Sequence, residues 1–290
     1  MVRRPPAGPL KPFFSLVWAC GRPERGALPG PVREHMLPTG CMHLVFRMTD
    51  GPMTTLDPRS GMPVQRVGTA TVAGARPGFY VRERCMPVCS VGAVLRPGAA
   101  KLLFGVSAAE LTARHTPLED LWGAAADGMR NRLLDVDECL ARLALLESML
   151  AARLAHVDPG RPAIGRALAS LPARDPVAAA VRRSGLSHRS FIARVRESVG
   201  LAPKRYLRIL RFQKALHALR AGDGGSLAMH AAQAGYSDQA HLSRDFLELS
   251  GVTPREYLRR FPVEPNHLQV APLGGTPGQI PSRPPRRHPR

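Results

Sequence analysis

The sequence predicts two domains: an N-terminal α+β domain over residues 13–156 and a C-terminal all-α domain over 168–262. The second is expected to hold two helix-turn-helix units joined by a long linker helix. Three observations lead there. Short β-like runs cut by Gly and Pro fill the chain from about Phe13 to Gly105, helical periodicity takes over beyond them, and one pattern occurs twice between Gly185 and Leu258. A chain of 290 residues suffices for two domains of ordinary size.

Residues 1–12 are rich in proline and read as a disordered tail. The run Phe13 to Cys20 behind Arg3-Arg4 loosely mimics a secretion signal. Its apolar core of about seven residues is at the bottom of the range for such signals, and Pro12 sits at its edge, so a strand is the better reading. Further strands are expected near His43–Phe46, Val67–Val72, Phe79–Val81 and Val91–Leu95. Ser107 to Glu110 and Thr116 to Glu119 each have the form of a capping box and predict helix starts. A helix over about 133–156 sets Val136, Leu140, Leu143, Leu146, Leu150 and Leu154 on one stripe. That stripe fits packing on its own domain better than a dimer seam, although a homodimer stays open. Residues 157–167 read as a linker, and 263–290 as a disordered basic tail that buries nothing.

The formal charge is +19, with +11 concentrated in residues 161–262 against +5 in 1–160. A concentrated basic segment attracts polyanions through counterion release, with nucleic acid the first candidate and an anionic membrane surface the second. No stretch approaches the roughly 20 apolar residues of a membrane-spanning helix, and no membrane partner is expected. Five cysteines, odd in number and unevenly spaced, point away from a secreted disulfide framework and towards a reducing, cytoplasmic setting.

The repeat carries the functional reading. Its first copy runs Gly185-Leu186-Ser187-His188-Arg189-Ser190-Phe191 and ends Gly200-Leu201-Ala202-Pro203-Lys204-Arg205-Tyr206-Leu207. The second runs Gly235-Tyr236-Ser237-Asp238-Gln239-Ala240-His241 and ends Gly251-Val252-Thr253-Pro254-Arg255-Glu256-Tyr257-Leu258. An alanine-rich helix precedes each copy, glycine makes the turn, and serine is a good N-cap for the helix that follows. The second copy has one residue more, assigned to its helical stretch. Thr253-Pro254-Arg255-Glu256 forms a capping box, and a helix over Pro203–Arg220 joins the units.

With these residues, 168–261 resembles the DNA-binding domain of the AraC/XylS family of bacterial transcription regulators. His35 to Phe46, Leu95 to Ala100 and Leu118 to Gly123 resemble the sensing region of one of its branches. The resemblance implies a sequence-specific regulator whose two recognition helices read adjacent major grooves, with an N-terminal domain that responds to a signal. On the first helix the outward residues are His188, Arg189, Ile192, Ala193 and Arg196, and the resemblance places base readers at Arg189, Ile192 and Ala193. Arg194 falls near the buried edge of the wheel. On the second helix the matching positions are Ala240, His241, Ser243 and Arg244, with Gln239 at the entrance. Ser187, Ser237, Lys204, Arg205 and Arg255 are expected to meet phosphate.

The implied partners are double-stranded DNA, a small-molecule effector and, for an activator, RNA polymerase. No cofactor or metal is expected, and signatures of nucleotide-binding loops, zinc proteases and serine hydrolases are missing. The alternative is a thiol- or metal-dependent sensor or repair protein that uses Cys85 and Cys89, with Cys41 and His43 nearby, beside the same DNA-binding module. For a signal pocket, His35, His43, Phe79, Tyr80 and Trp122 are the residues to watch, each also a fitting core residue.

Overall fold

A computed structural model describes residues 1–20, 30–85, 87–157, 177–221 and 224–270. Eleven strands are described: β1 (Val2–Arg4), β2 (Phe14–Ala19), β3 (Val32–Met36), β4 (His43–Arg47), β5 (Met53–Leu56), β6 (Pro63–Arg66), β7 (Ala70–Ala73), β8 (Tyr80–Arg84), β9 (Ser90–Leu95), β10 (His115–Pro117) and β11 (His267–Val270). They form two antiparallel sheets, ordered β1-β2-β9-β4-β7-β10 and β11-β3-β8-β5-β6. Helices α1 (Ala99–Phe104), α2 (Glu119–Trp122), α3 (Ala125–Leu134) and α4 (Cys139–Leu154) complete the N-terminal domain.

Strand alternation divides the first sheet into two faces. Val17, Ala19, Leu44, Phe46, Val91 and Ala93 are buried on one face, where α4 packs across β2 and β9 with Leu143, Leu146 and Leu150. Leu16, Trp18, His43 and Val45 point the other way, into a cavity that Met36, Met53, Tyr80 and Arg82 of the second sheet line from the opposite side. The leucine stripe of α4 therefore packs on its own domain, leaving Leu140 exposed.

Four expectations are corrected. Residues 1–12 are ordered: β1 pairs with β2, Leu10 is fully buried, and Glu147 of α4 accepts from Ala7 N–H at 2.7 Å and from Arg4. The presumed C-terminal tail returns to the N-terminal domain, where β11 pairs with β3 from His267↔Met36 to Val270↔Arg33 and Leu268 is 1 % exposed. Residues 108–113 form turns, not a helix, although Ser107 N–H does reach Glu110 Oε1 at 2.8 Å. Thr116 and Pro117 belong to β10, so Leu118 precedes α2 without a capping box. Residues 158–167 of the expected linker, the first nine residues of the expected DNA-binding domain and 271–290 lie outside the described residues.

The cysteines differ as well. Cys20 and Cys89, 69 residues apart, form a disulfide because β2 and β9 are neighbours and bring the two Cα atoms to 5.6 Å. Cys85 is exposed and Cys41 half-buried, both as free thiols. Cys85 and Cys89 thus do not form the thiol pair that the alternative reading needs, and no metal-binding group of three or more His, Cys, Asp or Glu exists among the described residues.

The C-terminal domain contains α5 (Val177–Ser184), α6 (His188–Val199), α7 (Pro203–Ala221), α8 (Leu227–Ala234), α9 (Gln239–Ser250) and α10 (Pro254–Arg260). Its core joins Phe191, Val195, Ile209, Phe212, Leu216, Leu242, Phe246 and Tyr257, with Phe212 and Phe246 at 5.1 Å between ring centroids. Among the described residues no helix is long and apolar enough to cross a membrane.

Candidate nucleic-acid interface

The two helix-turn-helix units are α5–α6 and α8–α9, with α7 between them. Phe191 and Leu242 are buried at equivalent positions 51 residues apart, as are Val195 and Phe246. Gly200 and Gly251 end the two helices at the same interval, whereas the turn glycines Gly185 and Gly235 are 50 apart. Both recognition helices therefore have 12 residues, and the extra residue of the second copy lies in the turn, not in the helix. It changes the cap. Ser187 accepts from Ser190 N–H at 3.2 Å in the first unit, while Asp238 accepts from His241 N–H at 2.7 Å in the second.

The offset of 51 keeps the equivalences expected for the two helices. Arg189 corresponds to Ala240, Ile192 to Ser243 and Ala193 to Arg244. His188, Arg189, Ala193 and Arg196 are exposed on α6 and Ile192 is half-buried; Arg194, expected at the buried edge, is exposed too. On α9, Gln239, Ala240 and Arg244 are exposed, with His241 and Ser243 half-buried. Lys204 and Arg255 are exposed at the first turns of α7 and α10.

Two expected phosphate contacts are placed differently. Arg205 Nη1 donates to Glu248 at 3.2 Å, within a cluster where Arg208 also holds Glu248 and reaches Asp245 at 3.0 Å. Hydrogen bonds from Arg208 hold the Glu248 carboxyl down to about 2. Arg205 and Arg208 thus tie α7 to α9. Ser237 donates to Asp238 at 2.9 Å and accepts from His241 Nδ1 at 3.1 Å, so its hydroxyl is engaged locally. The Asp238 carboxylate, its pKa lowered by the His241 amide, places negative charge at the start of α9. The start of α6, capped by Ser187 and with Arg189 in its first turn, carries no carboxylate.

The opposite ends of both recognition helices are held by the N-terminal domain. Gly98 N–H donates to Ser198 C=O at 2.8 Å, Ala108 N–H to Glu197 C=O at 2.9 Å, and Thr112 Oγ1 to Gly200 C=O at 2.8 Å. At α9, His35 Nδ1 donates to Ser250 C=O at 2.9 Å, with Phe79 stacked on His35 at 4.5 Å. Carbonyls that a helix C-terminus leaves unpaired are satisfied across the domain boundary. Both cap glycines have positive φ, +87° at Gly200 and +75° at Gly251. A Cβ on Gly200 would sit 2.3 Å from Thr112 Oγ1, and one on Gly251 2.7 Å from Phe79 Cζ.

Comparison with known proteins gives a family match in each part of the chain. A family described as "Helix-turn-helix domain" matches residues 180–260, and one described as "Domain of unknown function (DUF6597)" matches 2–117. The HTH-type transcriptional activator RhaS of Escherichia fergusonii is 39% identical over 74 residues, 26% of either chain. Residues 180–260 form a helix-turn-helix domain of the AraC type. The chain aligns with only about a quarter of the length of RhaS. Among solved structures, ToxT from Vibrio cholerae O395 is 10% identical with a TM-score of 0.43, covering 83% of this chain and 95% of ToxT. The C-terminal domain of AraT, a response regulator from Geobacillus stearothermophilus, is 20% identical with a TM-score of 0.32, covering 34% and 84%.

The aromatic and histidine residues singled out in the sequence separate by place. His43 and Tyr80 line the cavity between the sheets, and His35 and Phe79 form the contact with α9. Trp122 is core, with Nε1 donating to Leu103 C=O at 2.9 Å. Arg47, Arg76, Arg82 and His115 also line the cavity and were missed; an arginine in an alternating strand, such as Arg47 in β4 or Arg82 in β8, reads as a solvent-facing position, and Arg76 lies in the loop after β7.

Proposed function

We propose that the protein is a sequence-specific DNA-binding transcription regulator whose α6 and α9 read successive major grooves on one face of the duplex. Two grooves on one face lie about 34 Å apart. The observation that carries this reading is the docking of both recognition helices. Their C-terminal caps are held by the N-terminal domain, and their N-terminal halves, with Arg189 and Arg244, are left exposed.

Base reading falls to Arg189, Ile192 and Ala193 on α6, with His188 and Arg196 beside them, and to Gln239, Ala240, His241, Ser243 and Arg244 on α9. Arginine pairs bidentately with guanine, while Ile192 and Ala193 offer thymine methyl groups an apolar contact and no hydrogen bond. Ser187, Lys204 and Arg255 meet phosphate and set the register. Arg205 and Ser237 support the surface from behind.

A small molecule acts at the N-terminal domain by favouring one placement of the recognition helices over another, which requires different affinities for the two states. RhaS is named an activator; activation by this chain would bring RNA polymerase as a partner, and a homodimer would double the DNA site. Hydroxyl-radical footprinting on a bound duplex tests the reading. Two protected patches about one helical turn apart on the same face support it; a single patch overturns the two-helix reading.

A further inference from the structure

The cavity between the two sheets has a volume of about 390 Å³ and joins an apolar wall to a cationic one. Leu16, Trp18, Met36, Met53 and Val94 form the apolar side. On the other side lie four arginines, and two of them, Arg3 and Arg82, have carboxylate partners among the described residues. Arg3 pairs with Glu264, Arg82 with Glu34, and Arg47 donates to Gly51 C=O at 2.8 Å. Arg76 has no carboxylate partner among the described residues. Its guanidinium lies 4.0 Å over the Tyr80 ring and 3.3 Å from His115 Nδ1.

The hydrogen-bond directions follow from the chemistry of the groups. A guanidinium only donates, so His115 Nδ1 accepts and the imidazole proton sits on Nε2. Nε2 is 3.3 Å from Tyr80 Oη and donates to it, which leaves the phenol hydrogen to donate elsewhere. Burial, aided by Arg76 and Arg82, pushes His115 down to about 3, so it stays neutral and the relay keeps this polarity near pH 7. Gln65 fixes the His115 backbone from both sides. The cluster therefore presents one uncompensated cation and one hydroxyl donor, two groups that both require an acceptor. Arg76 is half-buried, so its guanidinium is only partly hydrated and an anion beside it is favoured.

We propose that this cavity binds an organic monocarboxylate, its carboxylate held by Arg76 and Tyr80 and its apolar body packed along Leu16, Trp18, Met36 and Met53. This assignment rests on the regulator reading above and names the ligand class of its N-terminal domain. The volume suits an organic body better than an inorganic anion, which would leave the apolar wall empty. Gln213 of α7 and Pro265, Asn266 and His267 close the cavity, with Gln213 Nε2 donating to Pro38 C=O at 2.7 Å and to Asn266 Oδ1 at 2.9 Å. The lid of the site thus belongs to the helix that joins the two recognition units and to the strand that follows them.

The test is calorimetric titration of the full chain with 3-phenylpropanoate and with octanoate, each against its own primary amide, near neutral pH. Saturable binding of at least one acid is expected, with its amide about tenfold weaker or worse, since a charged hydrogen bond is lost. Arg76→Gln should lose about tenfold or more of the acid's affinity, and Tyr80→Phe about three- to tenfold. Should Arg76→Gln fail to fold, Arg76→Lys keeps the charge, and the acid–amide difference decides on the wild type alone. Binding of neither acid, equal binding of acid and amide, or displacement of the acid by inorganic phosphate at similar concentration would overturn the assignment. DNA selection without any acid is a separate readout. Arg76→Gln that folds and keeps its site preference shows the DNA reading standing whatever the titration gives, and loss of all DNA preference in wild type alongside acid binding shows the reverse.

Discussion

At the scale of single residues, Arg189 and Arg244 occupy non-equivalent positions on two recognition helices of equal length. Arg189 faces Ala240 in the comparison and Arg244 faces Ala193, so the two helices are expected to prefer different half-sites. Arg189→Ala and Arg244→Ala should each relax preference at one or two base pairs in its own half-site, by about 1–3 kcal/mol per lost guanine contact, as read from binding to single-base variants. Lys204→Ala should weaken all sequences alike and reduce the salt slope by about one. A separate prediction concerns acid. Burial alone would raise the Glu34 carboxyl, but Arg82 at 3.0 Å and Arg84 at 3.1 Å overcome it and hold the group at about 2 against an ordinary 4.5. A depressed carboxylate stabilises the fold fully above its unfolded value. On the order of 3 kcal/mol should therefore be lost as pH falls from about 4.5 to 2, seen as a drop in denaturant midpoint.

At the scale of elements, the docked helix caps yield a prediction that a lone helix-turn-helix would not. Gly251→Ala forces a Cβ onto Phe79 and His35 at a positive φ. It should lower stability by about 1–3 kcal/mol and raise amide exchange at the end of α9, measured by melting and hydrogen exchange. The helices themselves were legible. The repeat, the alanine-rich leading helices and the Thr253–Glu256 capping box all stand in the structure where the sequence placed them, since each depends on local chemistry. The box at Ser107 failed for a tertiary reason: Ala108 N–H donates to Glu197 C=O and Ala113 N–H to Ala75 C=O, which turns the chain before a helix can extend. β11 was not legible either. His267–Val270 is four residues long with nothing strand-like around it, and only pairing with β3 makes it a strand.

At the scale of the whole molecule, the segment after the DNA-binding domain is part of the N-terminal fold. Tyr257 Oη donates to Pro265 C=O at 2.8 Å, Arg220 to Pro262 C=O at 2.7 Å, and Leu37 N–H to Asn266 C=O at 2.9 Å. Ending the chain at residue 262 should therefore lower the melting temperature and open the cavity. Ending it at 270 removes four arginines, and is expected to lower nonspecific affinity and its salt slope while leaving the preferred site unchanged. The candidate DNA surface was largely readable because it depends on exposed residues in a repeated pattern. The cavity was not: His43 and Tyr80 stood out as aromatic or titratable, but only the facing of two sheets brings Arg76 and His115 to them.

The central claim is that one rigid pair of recognition helices reads DNA at a spacing set by the N-terminal domain. Selection of bound fragments from a random duplex pool, with the full chain at near-physiological salt, tests it most directly. The expected result is one bipartite site whose unlike halves lie about 10 base pairs apart at a single spacing. A site with one defined half, halves at variable spacing, or no enrichment at all would contradict it.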